Sequence, residues 1–498
     1  MSSGSNDSPW RGLWPLLAVV VVVNFLTMPA QEYSFDATAA RISSIAFITT
    51  GKFAVGTDIA AQCGERGQYL YEKSDGIWYP KYGVLNTLIY IPCLWLDQLV
   101  TGKLGFASDR TLALNLFNLV LSAASALYLW LLARRYTDSI GTAWLFVMAC
   151  LYCTFWWNYL RAQTFEIYVT LLMVAFVYHF LSAQTAGVWP GGDRKHRVHL
   201  LSSAVALGLL CLCKTLYVVL LPVVLTLFLL GARADAGGQS RRWLRQLVLF
   251  GLPIALFLAA LLATNWYRFG SPFATGYTQF VVARQTFTAN LIPALRGFLL
   301  GPQKSLFLHF PVFFLALPGW VGFARKYRWD AITIALIGLV VFLVVSAYVL
   351  WRGGAGYGPR YLLPILPLLS LPFVHVLEWI RRRSNAVIKW ACYALIAVSL
   401  GYSFLLQIGV NTLPFFFRDE LDGVLDAETS AYAIDLVDHH HFGVINIEFM
   451  LYARDAPAWR MRRFVNELDS AEFGRLVALK AETKMNYFWF PYSIEKAP

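Results

Sequence analysis

Long apolar runs, broken by short polar or basic segments, set the pattern of this chain. Residues 14–28, 111–132, 140–158, 166–183, 199–231, 247–267, 306–323, 331–350, 361–379 and 391–410 are mostly apolar and carry few charges. Runs near 20 apolar residues are long enough to cross a bilayer as helix. The pattern therefore predicts an all-α polytopic membrane protein. The first run follows a short polar start with Arg11, and no small-residue cleavage pattern comes after Pro29. It reads as an anchor helix, not as a cleaved signal.

Basic clusters punctuate these runs. They are Arg134-Arg135, then Arg194-Lys195-His196-Arg197, then Arg233 with Arg241, Arg242 and Arg245. Further on come Arg325, Lys326 and Arg328, and last Arg381-Arg382-Arg383 with Lys389. Short basic loops stay cytoplasmic, so an even number of spans should separate neighbouring clusters. Two runs lie between Arg135 and Arg194, two between Arg245 and Arg325, and two between Arg328 and Arg381. Run 199–231 has basic clusters at both ends, and reads as a hairpin of two short spans turning near Lys214. A crossing at 83–100 would put Arg134 outside. That segment is read as a helix lying in or dipping into the outer leaflet, where Asn86, Tyr90 and Asp97 are tolerable. The outcome is about 11 spans with a cytoplasmic N-terminus. Residues 1–410 form the transmembrane unit, with a large first outer loop, 29–110, containing juxtamembrane helices. Residues 411–498 form a small outer C-terminal α/β region.

Composition agrees. Of 498 residues, 58% are hydrophobic and 14% charged, and mean hydropathy is +0.54. This excludes a soluble globular, a disordered and a collagen-like protein. The net charge of +12 does not point to nucleic acid, because the large basic clusters are the loops that set orientation. Five of the seven cysteines, Cys150, Cys153, Cys211, Cys213 and Cys392, lie in apolar runs, which argues against a disulfide framework. His439-His440-His441 has the look of a metal ligand set, but adjacent histidines in a polar tail read better as a solvated stretch.

With this topology, the unexplained polar residues collect at the outer helix ends. The first outer loop carries Glu32, Asp36, Lys81 and Tyr82, and the second Arg161 and Glu166. Lys214 forms the third turn, and Lys304 lies in the fourth loop. The fifth holds Arg352, Tyr357 and Arg360. Ionisable groups at such positions are functional-site candidates. Carboxylates can act on hydroxyls, and Lys and Arg can hold a phosphate. Bland roles stand beside these. Glu32 and Asp36 would cap or solvate a juxtamembrane helix, and Lys214 would snorkel. Arg352 and Arg360 would anchor headgroups, and Glu166 would pair with Arg161.

At these residues the chain resembles the bacterial polyprenyl-phosphate-sugar-dependent glycosyltransferases of the GT-C membrane superfamily. It is most similar in pattern to the protein-O-mannosyltransferase-like and lipid A aminoarabinose-transferase-like enzymes. Ser34-Phe35-Asp36-Ala37-Thr38-Ala39-Ala40-Arg41 is similar to the family's acidic stretch early in the first outer loop. Tyr79-Pro80-Lys81-Tyr82-Gly83 matches the end of that loop, and the stretches 270–277 and 358–364 match later patterns. The resemblance spans about residues 10–410. Ala37 stands where relatives usually have Gly, and Glu166 stands in place of a plain Asp pair, which argues against a divalent metal without closing the question.

The resemblance implies a GT-C-like fold with a non-crossing helix in the first outer loop. It also implies an inverting transfer of a sugar from a polyprenyl-phosphate donor to an acceptor hydroxyl of a lipid, glycan or protein. The site would face outward from the cytoplasmic membrane. Asp36 would take or orient the acceptor proton, with Glu32 in reserve. Lys81, Lys214, Arg352 and Arg360 would hold the lipid phosphate, with Tyr82, Arg161, Glu166, Lys304 and Tyr357 completing the substrate site. The alternatives are a transporter or lipid flippase with an outward-facing polar cavity, and a non-catalytic assembly subunit. A transporter more often shows inverted repeats and broken mid-membrane helices, and no repeat is visible in this sequence.

Overall fold

A computed structural model describes residues 10–29, 35–57, 70–74, 76–102, 112–162, 164–186, 193–234, 240–279, 291–301, 304–349, 351, 353 and 357–412. Glu32, Arg352, the His439–His441 stretch and nearly all of the expected C-terminal region lie outside the described residues.

Among the described residues, seven helices are long and apolar enough to cross a membrane. They are Val84–Thr101, Leu112–Arg134, Phe165–Gln184, Arg194–Cys213, Arg245–Phe269, Arg328–Ala347 and Ala386–Ile408. Leu13–Leu26, Ile140–Tyr152, Thr215–Leu230 and Leu291–Leu300 are shorter apolar helices. Two apolar runs are not single helices. Residues 306–323 break into Leu306–His309, Pro311–Ala316 and Trp320–Lys326, and residues 361–379 into Leu366–Leu369 and Pro372–Arg381. Pro311, Pro318, Pro364, Pro367 and Pro372 supply the breaks, because proline lacks the N–H and displaces the preceding residue from helical geometry. The turn read near Lys214 is present. Helix Asp193–Cys213 ends one residue before it, and a 3-10 turn, Thr215–Val219, follows.

The first loop holds more than helices. After helix Phe35–Thr50, strands β1 (Val55–Gly56), β2 (Leu70–Ser74) and β3 (Ile77–Pro80) form an antiparallel sheet in the order β1-β3-β2. Strands this short leave no run of alternation for the hydrophobic pattern to reveal. Helix Val84–Thr101 packs on helix Phe35–Thr50, where the Ser44 hydroxyl donates to the Thr87 carbonyl at 2.7 Å. Its Asn86, Tyr90 and Asp97 are buried against protein, so neighbouring helices keep them from lipid. The non-crossing orientation of this segment thus rests on the charge pattern and on what the resemblance implies.

The basic clusters share one end of the bundle. There Arg135 pairs with Asp330 at 3.0 Å and Tyr136 donates to the same carboxylate at 2.8 Å. Thr137 donates to Glu378 at 2.6 Å, and Arg381 pairs with Glu378 at 2.8 Å. The first loop lies at the other end, beside the start of helix Phe165–Ala186 and the end of helix Asp193–Cys213. A cysteine at Ser74, exposed at the end of β2, in a background lacking Cys63, is expected to react with a membrane-impermeant maleimide in intact spheroplasts. Labelling only after permeabilisation would reverse the outward assignment of this loop.

Candidate active site

Helix Phe35–Thr50 places Asp36 in its first turn, where a carboxylate is favoured by the helix dipole. The Tyr82 hydroxyl donates to Asp36 Oδ1. Arg360 Nη1 lies 3.2 Å from Asp36 Oδ2 and 3.8 Å from Glu166 Oε1. Arg360 therefore joins two carboxylates delivered by different helices, and all three side chains are largely buried. Two lysines approach on aromatic faces. Lys214 Nζ sits 4.0 Å from the centroid of the Tyr361 ring. Lys81 Nζ is 5.4 Å from the Tyr82 ring and 5.6 Å from that of Tyr277. Rings hold an ammonium by their quadrupole while leaving its N–H groups able to meet an anion.

Close backbone approach builds this arrangement. A Cβ on Gly83 would lie 2.1 Å from the Leu212 carbonyl oxygen and 2.4 Å from that of Cys213. Only glycine allows the Lys81–Tyr82 segment to reach the chain end that carries Lys214. Asn86 then donates to the Cys213 carbonyl at 2.8 Å, satisfying an acceptor at the helix terminus. A Cβ on Gly276 would lie 2.1 Å from Lys81 Cα, so glycine there lets Tyr277 close over Lys81.

Electrostatics follow from burial. Burial pushes the Lys214 ammonium down to about 8, with Glu166 pulling against the shift. Burial also lowers Lys81, opposed by Asp36. Both lysines hold their protons less firmly than a solvated lysine does.

Of the expected residues, Asp36, Lys81, Tyr82, Glu166, Lys214 and Arg360 come together. Lys304 and Tyr357 form a support beneath them. Lys304 Nζ donates to the Gly358 carbonyl at 3.2 Å. Tyr159 donates to the Tyr357 carbonyl at 2.7 Å, and Gln407 donates to its hydroxyl at 3.2 Å. Arg161 donates to the Thr27 and Asn411 carbonyls, tying the first helix to the last. Glu166 faces Arg360, where the bland reading paired it with Arg161. Sequence reasoning missed Tyr361 and Tyr277 as lysine platforms. It also missed Arg268, which is buried and donates to the Tyr82 carbonyl at 2.6 Å. The signal for Arg268 was a lone cation closing an apolar run just before Gly270. Among the described residues, no group of three or more His, Cys, Asp or Glu side chains is placed to hold a metal ion.

No protein-family model matches the sequence, and a search of curated proteins finds no match. Solved structures do match. ArnT from Cupriavidus metallidurans bound to undecaprenyl phosphate has a TM-score of 0.52 at 16% identity, over 95% of this chain and 75% of that one. The same protein in the apo state gives 0.51 at 14% identity, over 95% of this chain and 79% of that one. The archaeal oligosaccharyltransferase AglB from Archaeoglobus fulgidus, in complex with an inhibitory peptide and a dolichol-phosphate, gives 0.52 at 12% identity, over 85% of this chain and 60% of that one. At these identities the likeness is one of architecture: the chain is a polytopic helical membrane protein with a GT-C-like fold.

Proposed function

We propose that this chain is a glycosyltransferase that moves a sugar from a polyprenyl-phosphate donor to an acceptor hydroxyl with inversion at the anomeric carbon. The observation that carries the reading is the joining of Asp36 and Glu166 through Arg360, beside two aromatic-held lysines. That is one cluster offering a proton acceptor and phosphate-binding cations. ArnT with undecaprenyl phosphate and AglB with a dolichol-phosphate support the lipid class by analogy of fold. The active site faces outward from the cytoplasmic membrane, as the basic-loop pattern implies.

The acceptor oxygen attacks the anomeric carbon from the side opposite the phosphate. Its proton passes to Asp36, and the bond from carbon to phosphate oxygen breaks with its electron pair leaving on the phosphate. Lys214, Lys81 and Arg360 receive the charge that develops there, at positions fixed before the reaction begins. Tyr82 holds Asp36 in orientation.

The test is an assay of the purified protein in nanodiscs with radiolabelled polyprenyl-phosphate sugars and a panel of hydroxyl acceptors. Transfer with anomeric inversion is expected. Lipid uptake or movement across the bilayer without release of sugar would overturn the reading in favour of a flippase. The assay also carries a pH signature. A lysine binds an anion while protonated, so kcat/KM, which reports the free enzyme, should fall as pH rises through about 8, where Lys214 loses its proton. Lys214→Arg should move that limb upward, because a guanidinium does not titrate in this range. An unmoved limb in this variant would remove Lys214 from phosphate binding.

A further inference from the structure

Glu166 is 5% exposed, in the first turn of helix Phe165–Ala186. Its Oε1 faces Arg360 at 3.8 Å, while its Oε2 is buried and accepts no hydrogen bond from the described residues. Asp36, across the same arginine, has both oxygens engaged, one by Tyr82 and one by Arg360. The two carboxylates are thus unequal. Each Asp36 oxygen has one partner and keeps a lone pair for the acceptor hydroxyl, whereas Glu166 Oε2 has none among the described residues. Leaving a charged acceptor buried and unpaired is costly, and a ligand that supplies a donor recovers that cost.

We propose that Glu166 Oε2 accepts a hydrogen bond from a ring hydroxyl of the transferred sugar, and so takes part in reading the sugar. The inference rests on the glycosyltransferase reading. Its chemistry follows from the surroundings. Arg360 already contacts this carboxylate, and the Glu166 charge is the strongest one acting in favour of the Lys214 ammonium. A hydroxyl completes the acceptor without adding charge. It also fixes the sugar near Asp36, since Glu166 and Asp36 share one arginine. Glu166 then takes part in reading the sugar, while the lysines read the phosphate.

Two lipids separate these roles. Wild type and Glu166→Gln, in nanodiscs, are titrated with undecaprenyl phosphate, which has no sugar. They are then titrated with the undecaprenyl-phosphoryl hexose that wild type binds best from a panel of such lipids. In Glu166→Gln, undecaprenyl phosphate is expected to bind within about twofold of wild type, and the sugar lipid about 10–100-fold more weakly, the loss of one hydrogen bond to a charged acceptor. Glu166→Asp keeps the charge on a shorter arm, and should lose less in the same direction. Deoxy analogues of the hexosyl lipid test the contact on wild type without any substitution, and one of them should show the same loss. Equal loss on both lipids, or no loss on either, would overturn the assignment. Wild type binding none of the lipids would instead bring down the glycosyltransferase reading itself.

Discussion

Asp36→Asn is expected to slow sugar transfer about 10²–10⁴-fold, the range for a removed general base, while the protein still inserts and binds the lipid donor. The substitution is nearly isosteric. The amide oxygen can still accept from the Tyr82 hydroxyl, which now donates to Asp36 Oδ1, so the local fold has a reason to survive. What disappears is the group able to take the proton of the acceptor hydroxyl, and with it the charge opposite Arg360 at 3.2 Å. Phosphate binding should persist or tighten slightly, because a negative charge leaves a cluster that also contains Lys81 and Lys214. The measurement is a pair: donor affinity by titration, and single-turnover transfer. Unchanged affinity with lost turnover is the expected split. Near-normal turnover would remove Asp36 from the mechanism. Loss of both, with a lowered thermal midpoint, would identify Asp36 as a structural partner of Arg360 and no more.

Much of this site was legible because membranes make polar residues expensive. Asp36, Glu166, Lys214 and Arg360 stand out in the sequence as charges at the ends of apolar runs, and burial of a charge without purpose is selected against. That cost argument works one residue at a time. It does not say that Arg161 donates to the Thr27 and Asn411 carbonyls, or that Glu166 faces Arg360. Partner choice depends on which helix ends meet, and the hydropathy pattern does not contain that. The same limit applies to Tyr277 and Tyr361. Tyrosines are common at interfaces, so their role as lysine platforms appears only once Gly276 and Gly83 are seen to let the chains approach. For the fold, the long runs gave the helices and the turn at Lys214. Proline breaks at 311–318 and 364–372 were visible as residues, but were outweighed by hydropathy. The three short strands in the first loop left no periodic trace.

Arg360 should be the residue whose loss costs most in both stability and activity. It is the one described cation that contacts both carboxylates, and its side chain, like theirs, is mostly shielded from water. In Arg360→Met the alkyl stem is kept and the charge removed. Asp36 and Glu166 are then left as two neighbouring buried anions. Breaking a buried pair by deleting one partner costs about 3–5 kcal/mol, and here one deletion strips two acids. Transfer should become undetectable, and the thermal midpoint should drop. Arg360→Lys restores the charge but not the fork. A single ammonium cannot meet two carboxylates with the geometry of a guanidinium, so it should recover stability better than activity. The decisive variant is the double substitution Arg360→Met with Asp36→Asn. If the single loss comes from stranded anions, removing one of them should return part of the lost stability, and the two effects should fail to add. Additive losses would mean that Arg360 holds the fold through its packing on Tyr361, where its guanidinium carbon lies 5.0 Å from the ring centroid, and that the bridge between Asp36 and Glu166 contributes nothing measurable.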